Sequence, residues 1–219
     1  HVAEPELHIR MIPEMHWKGA LSTIFLAVIG SLVSILFILI IHKTKALFTK
    51  YFENSFVRIL VSGAIVSLFT FLLRNTDYNG TGMGIIVKTI NHPGYRIFFF
   101  AFFLKILFTA VSLSGGYQGG EIVPSLYIGA TLGNALQIFL PLDPGLSAAL
   151  GMASVFCSVT NCPLATLLIC FELFGFQASS YFILAIAVSY LCSGNYGLYH
   201  TQRILFSKIE EKEINTLAE

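Results

Sequence analysis

The sequence predicts an all-α polytopic membrane protein built from broken, tilted helices, and three observations carry that expectation. The first is composition: of 219 residues, 55% are hydrophobic and 11% charged, with a mean hydropathy of +0.76. Soluble domains carry about 25% charged residues, so this chain cannot clothe a globular surface in water. The second is Gly19 to Ile41, an uncharged run long enough for the roughly 20 residues that a span requires. The third is the set of apolar runs beyond Ile97, which Gly and Pro interrupt instead of charged loops.

The elements follow in order. Residues 1–18 are polar and mixed in charge, without the pattern of a signal peptide. The chain opens on His1 instead of Met, as a piece of a longer protein would. The span Gly19 to Ile41 is followed by a basic stretch with Lys43, Lys45, Lys50 and Arg58, read here as a loop. The positive-inside rule puts this loop in the cytoplasm, so the first span runs from outside to inside. A second apolar run, Ile59 to Leu73, returns outward and is short for a full crossing. RNTDYNGTGMG then supplies Asn-Gly and Gly-x-Gly turn signals.

Beyond Ile97, breaks fall at Ser114 to Gly120, Pro141 to Gly145, Cys162-Pro163 and Ser193 to Gly197. Between Glu172 and Arg203 there is no Asp, Glu, Lys or Arg. Broken backbone at membrane depth is tolerated only where it is buried or lines a cavity, and in transporters such breaks point to the binding site. The last stretch, SKIEEKEINTLAE, reads as a helix end reaching cytoplasmic water. The chain thus divides into a polar segment (1–18), a membrane domain (19–209) and a cytoplasmic tail (210–219).

A net charge of +1 leaves no electrostatic footprint for nucleic acid. The four cysteines lie in apolar segments without zinc spacing, so they read as small buried hydrophobes. The six histidines form no His-x-x-x-His pair, and no Ser/His, paired-Asp or HExxH constellation marks an enzyme. No metal or cofactor is expected.

The stretch GGYQGGEIVPSLYIGATLG places an acid between a glycine-rich turn and an apolar helix. Pro124 fits a first-turn position. A helix starting there presents free N–H groups and a positive dipole end, a ready anion site in low dielectric. Gly129 and Gly133 equally form a small-xxx-small packing face. Both readings stay open on the residues alone. Lys105 and Glu172 sit within apolar runs, as a snorkelling cation or as the two ends of a structural bridge, and Asn161 before Cys162-Pro163 reads as a helix cap.

GGYQGGEIVPSLYIGATLGNAL resembles the glycine–aromatic–proline signature of the CLC family of chloride channels and anion/proton antiporters. AALGMASVFCSVTNCPLATLLICFELFG is similar to the helix pair near that family's dimer interface, and YLCSGNYGLYHTQRI to its last membrane helix. The resemblance runs from about Gly19 to Lys208 and implies the second half of the family's inverted-repeat fold. Segments resembling the first half, with its gating glutamate, are absent from these residues. The implied function is halide transport by a homodimer embedded in a bacterial plasma membrane. Gly120, Glu121, Ile122 and Val123 fall on the amide-donating turn, and Tyr199, with Tyr196 as fallback, on the tyrosine whose hydroxyl meets the anion.

Glu121 is unusual, since many such signatures carry an apolar residue there. The fluoride/proton antiporter branch resembles GGE followed by a short pair and Pro, which makes Glu121 a proton-coupling candidate and fluoride an alternative to chloride. Val123 departs from that branch, where Thr is expected. A non-transporting membrane subunit, using the same helices only for packing, is the competing class.

Overall fold

The computed structural model describes residues 7–92, 94–199, 202–206, 208 and 213–217, and eight α-helices lie among them. α1 (Trp17–Tyr51) and α2 (Ser55–Leu73) are the two long and apolar enough to cross a membrane. α3 (Met83–Asn91) is short. Four helices then follow between Gly- and Pro-containing breaks: α4 (Ala101–Gly115), α5 (Ile122–Leu136), α6 (Pro144–Thr160) and α7 (Pro163–Phe174), ahead of α8 (Ser179–Cys192).

α1 is longer than the sequence reading of a 19–41 span. The basic stretch taken for a loop continues the helix to Tyr51, because Lys, Ala and Leu are good helix formers and no Gly or Pro intervenes. The connection shrinks to Phe52–Asn54, and Asn54 caps α2 by accepting from the Phe56 N–H at 2.9 Å. α2 gains the residues from Ser55 and is then long enough to span.

The centre of the fold is α6. Every residue from Gly145 to Thr160 is buried, as expected of a helix that is apolar all round. Asp143 starts it, accepting from the N–H groups of Gly145 (3.0 Å) and Leu146 (3.2 Å), with Pro144 in the first turn. Asn161 ends it in the left-handed conformation (φ 55°), so the predicted cap is a C-terminal one. Cys162-Pro163 restarts the chain as α7. α1, α5 and α8 surround α6 in one apolar core with Leu26, Phe37, Ile128, Leu146, Leu150 and Phe182.

The α5–α6 contact is backbone on backbone. A Cβ on Gly129 would lie 2.5 Å from the Gly151 carbonyl oxygen, and one on Gly133 would overlap the Ser147 carbonyl. The packing reading of Gly129 and Gly133 therefore holds. It governs the middle of α5 and leaves its first turn free for other work.

Three sequence expectations are corrected. Of the residues after Tyr199 expected as a final helix, 203–206 are extended, with β1 (Arg203–Phe206) pairing antiparallel to β2 (Glu213–Leu217), and 200, 201 and 207 lie outside the described residues. Gly194 and Gly197 stop α8 short, and RILF and EINTL carry Ile, Phe and Thr, which favour strand. The tail read as a helix end is thus strand over 213–217; residues 209–212, 218 and 219 of that expectation, and 1–6 of the N-terminal segment, lie outside the described residues. Of the four free cysteines, Cys157 and Cys170 are buried, whereas Cys162 and Cys192 are exposed, because they flank helix breaks instead of helix middles. Lys105 and Glu172 form no bridge: Glu172 is exposed on α7, and Lys105 bonds elsewhere.

Candidate functional site: the first turn of α5

Gly119 and Gly120 end the irregular run after α4, and Glu121 occupies the N-cap position of α5 without a side-chain cap bond. The helical ladder opens with Ser125 N–H to Glu121 O at 3.0 Å. The amides of Ile122 and Val123 precede that bond, and Pro124 has no N–H to offer. Two backbone donors therefore stand at the positive end of a 15-residue helix. Gly120 adds nothing to crowd the approach, since a Cβ there would meet no atom within 4 Å.

Three cavities meet this turn. One, of about 440 Å³, is lined by Ile122 and Tyr199 together with Phe156, Thr160, Cys162 and Ala165. The two residues singled out from distant parts of the sequence thus share one wall, and both are half-exposed to it, Ile122 at 44% and Tyr199 at 46%. Tyr199 is held there through its neighbour: Leu198 N–H donates to Val159 O on α6 at 3.1 Å, and His42 Nε2 lies 3.3 Å from Leu198 O. Gln202 N–H then donates to Tyr199 O at 2.9 Å. Tyr196, the alternative pore tyrosine, packs against the central apolar core.

Glu121 borders a second cavity, of about 750 Å³, together with His42, Lys45, Lys50, Ser114 and Leu198. The basic end of α1, which the sequence placed in a loop, supplies these cations because the helix runs on past Ile41. Glu121 thus shares a cavity with cations of α1 and is not among the residues lining the cavity of Ile122 and Tyr199. Gly120 and Val123 border a third cavity, of about 420 Å³, with Lys105, and Ile122 is common to this one and the first.

Lys105 is 2% exposed. Its ammonium donates to the carbonyls of Tyr78 (3.0 Å) and Gly80 (2.6 Å) and stands 5.0 Å from the Tyr127 ring centroid. The partner is backbone and ring in place of Glu172, because the 75–82 loop folds over the start of α4. Thr160 and Cys162 were not singled out as site residues. Their signal was the break between α6 and α7, which ends one helix and starts another beside Tyr199.

Chemically, the arrangement offers backbone N–H donors, a phenol and nearby fixed positive charge, all suited to a small anion. The signature residues divide among three cavities: Ile122 shares one with Tyr199 and another with Gly120 and Val123, and Glu121 borders the third.

Comparison with known proteins gives the family of the chain. The family model described as Voltage gated chloride channel matches residues 2–194. A chloride/fluoride channel protein of Pseudomonas syringae pv. tomato is 33% identical over 204 residues, covering 90% of this chain and 44% of that protein. The H(+)/Cl(-) exchange transporter ClcA of Vibrio cholerae is 26% identical over 172 residues, covering 74% of this chain and 36% of that protein. The crystal structure of a CLC-type fluoride/proton antiporter superposes with a TM-score of 0.84 at 29% identity, over 90% of this chain and 49% of that one. The chain spans between about a third and a half of the length of these relatives, and its helical membrane fold is that of the CLC antiporter. The chain belongs to the voltage-gated chloride channel family.

Proposed function

We propose that this chain is the C-terminal half of a CLC-type halide transporter, in which the anion passes the Ile122 and Val123 amides and the Tyr199 hydroxyl. The observation that supports this best is the shared wall of Ile122 and Tyr199. A helix start supplies donors with no counter-charge of their own, and a phenol donates without adding charge. Together they hold a halide weakly enough to release it. The other wall and the gate belong to a first half that completes the path, so the 219 residues alone carry out no halide flux. Robust halide uptake by liposomes holding only this chain would overturn that point.

The apolar, exposed flank of α2, including Phe56, Leu60, Phe71 and Leu72, suits lipid or that first half. The basic end of α1 supports a cytoplasmic position for it and for the C-terminus, in a bacterial plasma membrane. A homodimer is the assembly proposed.

Fluoride/proton exchange is the second reading, and Glu121 favours it. A carboxylate bordering the cavity beside the anion turn can carry protons, while Val123 withholds the hydroxyl expected of that branch. Chloride and fluoride efflux from liposomes carrying the complete transporter, each at two pH values, separates these readings. Proton movement against its gradient establishes exchange. In the same protein, Tyr199→Ala and Ile122→Pro test the anion site: intact assembly with lost anion binding supports transport, and unchanged binding moves the chain to a non-transporting subunit.

A further inference from the structure

We propose that the groove along α4 is an outer anion station that feeds the first turn of α5, with Lys105 setting its charge; this rests on the transport reading above. Lys105, Thr109 and Ser112 are spaced four and three residues apart, so they share one face of α4 and rise about 10 Å along it. All three line the cavity of about 420 Å³ that reaches from Gly80 and Thr81 at one end to Ile122 and Val123 at the other. A polar stripe thus connects the 75–82 loop to the anion turn through an otherwise apolar bundle.

The charge of Lys105 is the informative feature. Its hydrogen bonds go to two carbonyls, and its remaining flank faces a ring. These groups satisfy N–H donors but do not neutralise a cation. Asp77, in the same loop, is bonded to Asn75 instead, through the Asn75 side-chain N–H at 2.8 Å. A buried ammonium without a carboxylate is costly, and pinning a loop needs only donors, which a neutral amide also has. What the ammonium adds is a fixed positive field along the groove. A halide entering the groove supplies the missing counter-charge, with Thr109 and Gln118 as neutral donors replacing part of its hydration. From there the α5 amides take it over.

The test separates charge from donors. In the complete transporter, Lys105→Gln keeps N–H groups and removes charge, whereas Lys105→Arg keeps both. Lys105→Gln is expected to raise the half-saturating halide concentration from the outer side by about tenfold or more, the effect of one charge several ångströms away at intermediate dielectric. Inner-side half-saturation stays unchanged, and Lys105→Arg restores the outer value. An unchanged outer value, or equal rises on both sides, overturns the proposal.

A second arm does not depend on flux. In a Cys162→Ser, Cys192→Ser background, Thr109→Cys is treated from the outer side with an anionic or a cationic methanethiosulfonate. The anionic reagent is expected to react several-fold faster, and halide to slow it. An unreactive cysteine, or no preference for the anionic reagent, overturns the groove. Absence of all halide flux in the unmodified transporter would instead remove the transport reading and leave this arm to decide.

Discussion

Gly129 and Gly151 hold the chain's two central helices at backbone contact: a Cβ added to Gly129 would stand 2.5 Å from the Gly151 carbonyl oxygen and 2.6 Å from the Met152 Cα. No side chain can rotate out of the way, since the obstacles are main chain. Gly129→Ala must therefore part α5 from α6, and overpacking on this scale costs about 1–3 kcal/mol or more. Thermal unfolding in detergent is expected to show a clear loss for Gly129→Ala. Gly84→Ala, where nothing lies within 4 Å, shows no such loss. Equal midpoints for the two variants would refute the contact.

Asp143 offers a separate test of local design. Its carboxylate accepts from two N–H groups at the start of α6, the most deeply buried helix. Asp143→Ala is expected to destabilise the fold by about 1 kcal/mol, with Asp143→Asn or Asp143→Ser recovering most of it. A denaturation series on the three variants checks the order.

Much of this was legible in the chain itself, and the reasons differ by residue. The Gly and Pro breaks announced where helices stop, because those residues act on the local backbone. The signature around Gly120 to Pro124 announced a helix start for the same reason. The pairing of Ile122 with Tyr199 came only through family resemblance, since contact between distant residues has no local signal. The end of α1 was misread because a charged run is as compatible with a solvated helix as with a loop, and positive charge alone does not break a helix. Neither reading of Lys105, a snorkelling cation or a bridge to Glu172, named its partners: charge matching suggests a carboxylate for a buried amine, whereas the folded loop offered carbonyls. Glu121 came to the anion donors through family resemblance as well, and in the fold it lines a cavity together with His42, Lys45 and Lys50 of α1.

Cysteine chemistry distinguishes the two burial classes. Cys162 is exposed and borders the cavity of Ile122 and Tyr199, while Cys157 and Cys170 are buried at 0% and 1% exposure. In the complete transporter, a charged thiol reagent is expected to modify Cys162 and to reduce halide flux, with halide slowing the reaction. Cys157 and Cys170 react only after unfolding. Mass spectrometry of the labelled protein reads both outcomes, and modification of Cys157 in the folded state would contradict the packing of α6.

Glu121 and Tyr199 are expected to separate proton coupling from anion affinity, because they border different cavities around one helix turn. Glu121→Gln removes the titratable group without altering the amides, so proton movement falls while halide binding persists. Tyr199→Phe removes one donor to an anion; hydrogen bonds to charged groups contribute about 1.5–3 kcal/mol, so halide affinity falls about tenfold or more. Tyr196→Phe serves as the control, since Tyr196 packs against the core, and its affinity stays near that of the parent. Parallel measurements of halide binding by calorimetry and of proton flux in liposomes resolve the pattern. Loss of both activities in Glu121→Gln, with the fold intact, would place the carboxylate at the anion itself and erase the division of the turn into two functions.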